Sequence, residues 1–231
     1  MTPGPRSSPT HSPLTDGTTP TLYQMWHVVL PLKGTDDAKS RLQVPPSARK
    51  RMVVAMAADT MSAVQSTPDV HRVTVLSRQA GGALTSFVER AFDIAIQPPE
   101  AASLDEALQW FASTRADRAT PLAVVVADLP ALTPQSMADV LMLADKQRMG
   151  MVADSPGTGT TILTARDPAE MITHFGDQSA SAHQADGARL LPGAEDARCD
   201  VDTVDDLMHA TALGLGPHTL ALLAELELEP N

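Results

Sequence analysis

The segment LAVVVADLP at residues 122–130 constrains the fold more than any other part of the chain. Its six consecutive apolar residues, three of them β-branched, predict a strand buried on both faces, as in the middle of a parallel sheet. Asp128 follows the strand directly, and Pro130 then ends the pairing because it has no N–H to donate. Thr133 and Pro134 are the better cap and first residue of the next helix, so Asp128 is left free. A free carboxylate there favours a ligand-binding role, since open α/β sheets bind ligands at the carboxyl ends of their strands.

Patterns typical of strands and of helices alternate along most of the chain. Predicted strands cover residues 26–32, 72–77, 92–96 and 122–127, and predicted helices cover 45–65, 82–90, 104–114 and 134–148. This alternation predicts an α/β fold with a mostly parallel central sheet flanked by helices. Two more strands are expected near residues 150–154 and 162–164, and two more helices over 204–213 and 217–229. The last helix covers either the sheet or a partner subunit, which leaves a homodimer open.

Composition narrows the classes of protein that the chain can belong to. A net charge of −11 over 231 residues disfavours nonspecific binding to nucleic acid or to an anionic membrane. No apolar run is long enough to cross a bilayer. The single cysteine, Cys199, excludes an internal disulfide and fits the cytoplasm. Residues 1–24 are rich in proline, serine and threonine and predict a disordered tail without a signal peptide, ahead of a single domain over 25–231.

One segment is basic although the chain as a whole is acidic. Six basic residues and two acidic ones lie between Lys33 and Arg51. Three of the basic residues, Lys33, Lys39 and Arg41, follow the first predicted strand, where nucleotide-binding folds hold phosphates. Because the loop lacks a glycine-rich phosphate-binding motif, its side-chain cations would have to provide the contacts.

Asp200 and Asp202 alternate with apolar residues in the segment RCDVDT at 198–203. In a strand the two carboxylates would project from one face, with Cys199 and Val201 turned inward. Paired carboxylates repel each other unless a cation lies between them, and such oxygen ligands select Mg²⁺. Capping of the helix over 204–213 would explain Asp202 but not Asp200. Together with Asp128 they could hold one or two metal ions, as in phosphoryl or nucleotidyl transfer.

Two turns further along the chain are candidates for binding an anion. The glycines of SPGTGTT at 155–161 fit either an anion nest or a hairpin turn, and the sequence does not separate the two. Gly176 permits a second turn, after which Asp177 or Ser179 would begin a short helix. His174 and His183 are either ligands or side chains that are packed or exposed without a role.

These segments together resemble the 2-phospho-L-lactate/phosphoenolpyruvate guanylyltransferases, which make the precursor of the deazaflavin coenzyme F-420. The resemblance spans residues 26–215 and keeps the family's order of motifs. The matching motifs are Pro-Leu-Lys at 31–33, Ala-Lys-Ser-Arg-Leu at 38–42, Ala-Asp-Leu-Pro at 127–130, Gly-Thr-Gly-Thr at 157–160, Phe-Gly at 175–176 with Ser179, and Asp-Val-Asp-Thr at 200–203. The chain departs from the family at Asp177, usually proline, at Ala182, usually arginine, and at Asp105, usually asparagine.

The resemblance implies a Rossmann-like nucleotidyltransferase fold and transfer of GMP from GTP to phosphoenolpyruvate or 2-phospho-L-lactate. It implies that Asp128, Asp200 and Asp202 hold Mg²⁺, and that Thr160, Gly176 and Ser179 contact the phosphorylated three-carbon acid. Lys33, Lys39 and Arg41 would face the GTP phosphates, and Asp105 could accept hydrogen bonds from guanine. The alternatives are a molybdopterin-type or sugar-phosphate nucleotidyltransferase, and a catalytically inactive nucleotide-binding subunit.

Overall fold

The computed structural model describes residues 25–32, 39–42, 45–78 and 92–226. Seven strands are present: β1 Trp26–Leu32, β2 Val70–Ser77, β3 Asp93–Ile96, β4 Leu122–Val125, β5 Met149–Ala153, β6 Thr160–Ala165 and β7 Arg189–Leu190. The helices are α1 Pro46–Gln65, α2 Leu104–Thr114, α3 Pro134–Ala144, α4 Ser179–Ala185, α5 Val204–Leu213 and α6 Pro217–Glu225. The predicted tail at 1–24, the helix at 82–90, Lys33 and the end of the last predicted helix lie outside the described residues.

The seven strands form one mixed sheet in the order β3-β2-β1-β4-β6-β5-β7. Parallel pairing joins β3, β2, β1 and β4, whereas β6 runs antiparallel to both β4 and β5. The predicted α/β fold with a mostly parallel sheet is therefore confirmed. The chain runs outward from β1 to β3 and then returns to β4 on the other side of β1. This reversal makes the carboxyl ends of β1 and β4 a topological switch point, where such sheets bind ligands.

A hydrophobic core packs against each face of the sheet. Val28 and Val125 face the core that α1 and α3 cover, and Val29 and Val124 face the core that α2 covers. All four residues of β4 are at most 1% exposed, as predicted from the apolar run. Burial on both faces fixes β4 in the middle of the sheet and so fixes the position of Asp128, which follows it.

The predicted strand that carries Asp200 and Asp202 is wrong. The segment is irregular backbone that follows a 3-10 helix, Glu195–Ala197, and it joins the loop after β4 through the Val201 N–H, which donates to the Asp128 carbonyl (3.0 Å). Cys199 and Val201 are buried as expected. The alternating pattern therefore arises because this loop packs on the loop after β4. Buried and exposed side chains alternate along it, as they would along a strand.

Several limits of elements differ from the prediction, among them that of β2, which begins at Val70 rather than at residue 72. Helix α3 ends at Ala144 rather than at residue 148, and β4 ends at Val125 although the Val126 N–H still donates to Thr161 (3.0 Å). The two-residue strand β7 was not predicted, because so short a segment carries no periodic signal. Among the described residues no helix combines the length and the apolar character that crossing a membrane requires.

Candidate active site

A cleft of about 960 Å³ opens at the carboxyl ends of β1 and β4 and brings together most of the residues predicted to be functional. Lys39, Arg41 and the carboxylate cluster, defined as Asp128, Asp200 and Asp202, line it and form what we call its charged side. Thr160, Gly176 and Ser179 also line it and form what we call the hydroxyl pocket. Segments more than a hundred residues apart in sequence thus line one cavity.

The backbone around Asp128 is held from two directions. Its carbonyl accepts from Val201, and the N–H of the next residue, Leu129, donates to the buried Thr60 hydroxyl of α1 (3.0 Å). Thr133 caps α3, with its side chain accepting from the Ser136 N–H. The prediction that Asp128 is not used as a cap is confirmed, and its carboxylate points into the cleft.

Lys39 forms the centre of the charged side of the cleft. Its ammonium donates to Asp128 Oδ2 and, at 2.5 Å, to Asp202 Oδ1, while its side chain is only 10% exposed. Burial alone would lower the pKa of Lys39, but the two carboxylates outweigh burial and raise it above the ordinary value. The Lys39 backbone has φ of 59°, a left-handed conformation that costs a non-glycine residue about 1 kcal/mol or more.

Among the described residues, Asp128 and Asp202 form ion pairs with Lys39, whereas Asp200 forms none. Burial, followed by the charges of Asp128 and Asp202, raises its pKa to about 7. Helix α5 does not use Asp202 as its cap, because Thr203 and Asp206 form a capping box at that position. The alternative interpretation of Asp202 as the cap of this helix is therefore wrong, and Thr203 caps it instead.

The carboxylate cluster offers the donor atoms that a divalent cation needs. Asp128 Oδ1 is buried without a hydrogen-bond partner, and Asp200 has no side-chain hydrogen bond within the described part of the chain. Hard carboxylate oxygens in this state suit Mg²⁺ or a similar ion. In the described ranges, however, no three His, Cys, Asp or Glu side chains converge closely enough to hold a metal ion. The Lys39 ammonium lies between Asp128 and Asp202 instead.

The hydroxyl pocket has donors rather than charges. The Ser179 hydroxyl makes no hydrogen bond with the described residues, and Thr160 Oγ1 contacts only the ring of His183, at 2.9 Å. Gly176 has φ of 144°, and an added Cβ would meet nothing within 4 Å, so the backbone conformation rather than packing requires the glycine. Asp177 is exposed at the rim of the cleft.

The glycine-rich turn is a hairpin between β5 and β6. The Asp154 carboxylate accepts from the Thr158 N–H (2.8 Å), and the Gly157 N–H donates to the Asp154 carbonyl (3.0 Å). Gly159 packs so closely on Asp154 that a Cβ would lie 2.4 Å from its Oδ2. Two of the N–H groups that an anion nest would need are already bonded, so the hairpin interpretation is correct.

Asp105 does not line the cleft. Its Oδ1 accepts from the Phe175 N–H (2.9 Å), which ties the start of α2 to the segment that carries Gly176. This contact favours a supporting role over the predicted contact with guanine. Sequence reasoning also missed Asp154 and His209, which line the cleft, and no local motif marks either of them.

The fold and the cleft define a class of protein, and comparison with solved structures agrees. A Desulfovibrio desulfuricans protein assigned to the nucleotide-diphospho-sugar transferases has a TM-score of 0.66 and 14% identity, over 87% of this chain and 95% of that one. Rv0371c of Mycobacterium tuberculosis, in complex with manganese, has a TM-score of 0.50 and 17% identity, over 81% of this chain and 97% of that one. The chain thus has the fold of nucleotidyltransferases.

Sequence comparison identifies the family within that class. The family described as "Guanylyl transferase CofC like" matches residues 26–229, and the chain belongs to it. A phosphoenolpyruvate guanylyltransferase of Nocardia farcinica is 41% identical over 87% of this chain and 91% of its own length. One from Geodermatophilus obscurus is 39% identical over 86% of this chain and 94% of its own length. The resemblance inferred from the motifs is confirmed, and the protein is a nucleotidyltransferase.

Proposed function

We propose that this enzyme joins GMP from GTP to the phosphate of phosphoenolpyruvate and releases pyrophosphate. The two relatives named above carry that activity in their names. The product would serve as the precursor of coenzyme F-420, and 2-phospho-L-lactate is the other acid that we test. Because both substrates are cytoplasmic metabolites, we propose that the enzyme acts in the cytoplasm.

The observation that carries the proposal is the division of one cleft into two chemically different sides. Lys39, Arg41 and the carboxylate cluster form a side suited to a triphosphate and its counter-ion. The hydroxyl pocket, in the same cleft, offers neutral donors to a second, smaller phosphate. A transferase that joins two phosphates needs both within one cavity.

The reaction needs little acid–base chemistry from the protein. A phosphate oxygen of the acid attacks the α-phosphorus of GTP, and the bond from that phosphorus to the bridging oxygen breaks as pyrophosphate leaves. The attacking oxygen is already ionised, so no proton has to be removed. Catalysis would then consist of positioning and charge neutralisation, with Lys39 and Arg41 at the triphosphate and Thr160 and Ser179 at the acid.

We propose Mg²⁺ as the cofactor, held by Asp128, Asp200 and Asp202. Two anionic substrates would enter a cleft lined by six aspartates, and Lys39 and Arg41 alone do not balance that charge. A divalent cation would supply the missing neutralisation of the phosphate oxygens. Support comes from the unpartnered Asp128 Oδ1 and from the manganese in the structurally similar Rv0371c.

The test combines purified protein, GTP, Mg²⁺ and one candidate acid at a time, with the product identified by mass. Phosphoenolpyruvate is expected to give the GMP adduct with an equal amount of pyrophosphate, and chelation with EDTA is expected to stop it. A sugar 1-phosphate serves as the control acid. Adduct formation with the sugar phosphate alone would favour the sugar-nucleotide alternative, and no pyrophosphate with any acid would favour an inactive subunit.

A further inference from the structure

His183 is a fully buried side chain directly behind the hydroxyl pocket. Its ring lies between two partners: Nδ1 is 2.9 Å from Thr160 Oγ1, and Nε2 accepts from the backbone N–H of His174 at 2.8 Å. The edge of the ring also contacts Phe175, with centroids 5.3 Å apart. His183 does not itself line the cleft.

The two contacts determine where the protons are. A backbone N–H can only donate, so Nε2 of His183 must carry a lone pair. Burial, followed by the charge of His174, lowers the pKa of His183 to about 4, so that at neutral pH the ring has one proton. That proton is therefore on Nδ1 and is donated to Thr160 Oγ1.

The same reasoning extends to the threonine. Thr160 Oγ1 accepts from His183, so its own proton must be directed elsewhere, and the described residues offer it no acceptor. Thr160 is 7% exposed and faces the cleft. Its hydroxyl is consequently fixed as a donor toward the cleft and matches an acceptor-only ligand such as a phosphate oxygen.

We infer that His183 is a positioning residue that fixes the Thr160 hydroxyl as a donor to the phosphate of the acid substrate. The inference rests on the proposed function, in which Thr160 contacts that acid. The ring also holds the segment that leads to Gly176, since it binds the His174 N–H while Asp105 binds the next N–H, that of Phe175. One buried ring therefore organises both walls of the hydroxyl pocket.

Two amide substitutions separate the two contacts of the ring. Asparagine carries its amide at the same distance along the side chain as Nδ1, so His183→Asn keeps a donor for Thr160 and loses the acceptor for His174. Glutamine carries its amide at the distance of Nε2, so His183→Gln keeps the contact with His174 and loses the donor. If His183 acts through Thr160, His183→Gln leaves the Thr160 hydroxyl free to turn away from the phosphate. The KM for phosphoenolpyruvate then rises about tenfold to a hundredfold, the effect of losing the hydrogen bond between Thr160 and the charged phosphate. The KM for GTP stays unchanged, and His183→Asn has the smaller effect on the acid.

A double-mutant cycle distinguishes this role from simple packing. Thr160→Val alone should raise the KM for the acid by a similar factor, and adding His183→Gln to Thr160→Val should change it no further. Additive effects of the two substitutions, or equal changes in the KM values for acid and GTP, would overturn the inference. Thermal unfolding of each variant shows that the comparison is made on folded protein.

The tautomer can be measured without any substitution. Nitrogen-15 NMR of wild-type protein labelled at histidine should show His183 with a protonated Nδ1 and an unprotonated Nε2 at neutral pH. A proton on Nε2 would overturn the inference whatever the enzymatic activity is. If wild-type protein turns over neither acid, the proposed function fails and the role of Thr160 toward the acid fails with it, while the NMR result still reports on the buried contact itself.

Discussion

The Lys39 ammonium donates to the carboxylate of Asp128, across the point where the sheet reverses its strand order. Lys39 follows β1, and Asp128 follows β4, the parallel neighbour of β1. The pair therefore joins the loops that follow two neighbouring strands at the point where the strand order reverses, which is where open α/β sheets form their ligand crevices. Its position explains why a strongly acidic chain keeps a buried lysine there.

Replacing Lys39 tests the charged side of the cleft. Lys39→Met removes the ammonium from between Asp128 and Asp202, so we expect kcat/KM for GTP to fall by about 100-fold, the effect of roughly 3 kcal/mol of lost charge-assisted contacts. The KM for the acid should change much less. Lys146→Met, at an exposed lysine outside the cleft, is the matched control and should behave as the wild type. A change confined to the KM for the acid would assign Lys39 to the other pocket.

Asp200 and Asp205 provide a matched pair for the metal proposal. Asp200→Asn leaves the size of the side chain intact but weakens an oxygen ligand, so we expect turnover to fall at least 100-fold at saturating Mg²⁺. Asp205→Asn changes an exposed aspartate of α5 outside the cleft and should retain activity. Near wild-type turnover of Asp200→Asn, with unaltered Mg²⁺ dependence, would show that the metal assignment is wrong.

Local sequence patterns predicted the strands, the helices and the position of Asp128 better than they predicted contacts between distant segments. The apolar run at β1 and the capped helices α2 and α5 carry their limits in the sequence, and the structure reproduces those limits. Asp128 could be located because a strand and a helix cap on either side of it constrain its role. The prediction of a strand at Asp200 was wrong because buried and exposed side chains also alternate in this loop, which packs on another loop.

Long-range contacts account for most of what the sequence did not reveal. The bond between the Asp105 carboxylate and the Phe175 N–H joins residues that are 70 positions apart, so no local pattern could indicate it. The same holds for Thr160 and His183, which are 23 positions apart. Each residue has an ordinary local explanation, and only the fold brings the partners together.

Substitutions of Asp105 test whether this residue supports the hydroxyl pocket or recognises the guanine base. Asp105→Asn retains an oxygen that can accept from the Phe175 N–H, so we expect less than a threefold change in either KM. Asp105→Ala leaves that N–H without its partner, and we expect about a tenfold rise in the KM for the acid alone. Steady-state assays with GTP and with ATP check both variants. A loss of the preference for GTP over ATP in either would restore the predicted contact with guanine.

His27 should make the fold sensitive to mild acid. Burial, followed by the charge of Arg72, lowers its pKa from 6.5 to about 4, and its Nε2 lies 2.8 Å from Thr74 Oγ1. At a pH between these two pKa values, His27 binds a proton in the unfolded chain but not in the folded chain. The contribution of neutral His27 to stability is therefore complete above its pKa in the unfolded chain. It is lost as the pH falls toward its pKa in the folded chain. From about pH 7 to about pH 5 the free energy of unfolding should fall by about 1–2 kcal/mol through this residue.

Urea unfolding of the wild type and of His27→Gln at the two pH values measures this contribution. Glutamine retains a polar group near Thr74 but does not titrate in this range, so the variant should lose less stability on acidification by about that amount. An identical loss in both proteins would show that His27 is not kept neutral by burial.

Phosphorus NMR of the complete reaction tests the central proposal most directly, because it follows each phosphorus atom. With GTP, Mg²⁺ and phosphoenolpyruvate, we expect the signal of the acid's phosphate to be replaced by two coupled signals of a new diphosphate bridge, with pyrophosphate appearing at the same rate. The coupling shows that the acid's phosphorus is linked to the α-phosphorus of GTP. Formation of GDP and orthophosphate, or an unchanged phosphoenolpyruvate signal while GTP is consumed, would contradict guanylyl transfer to this acid.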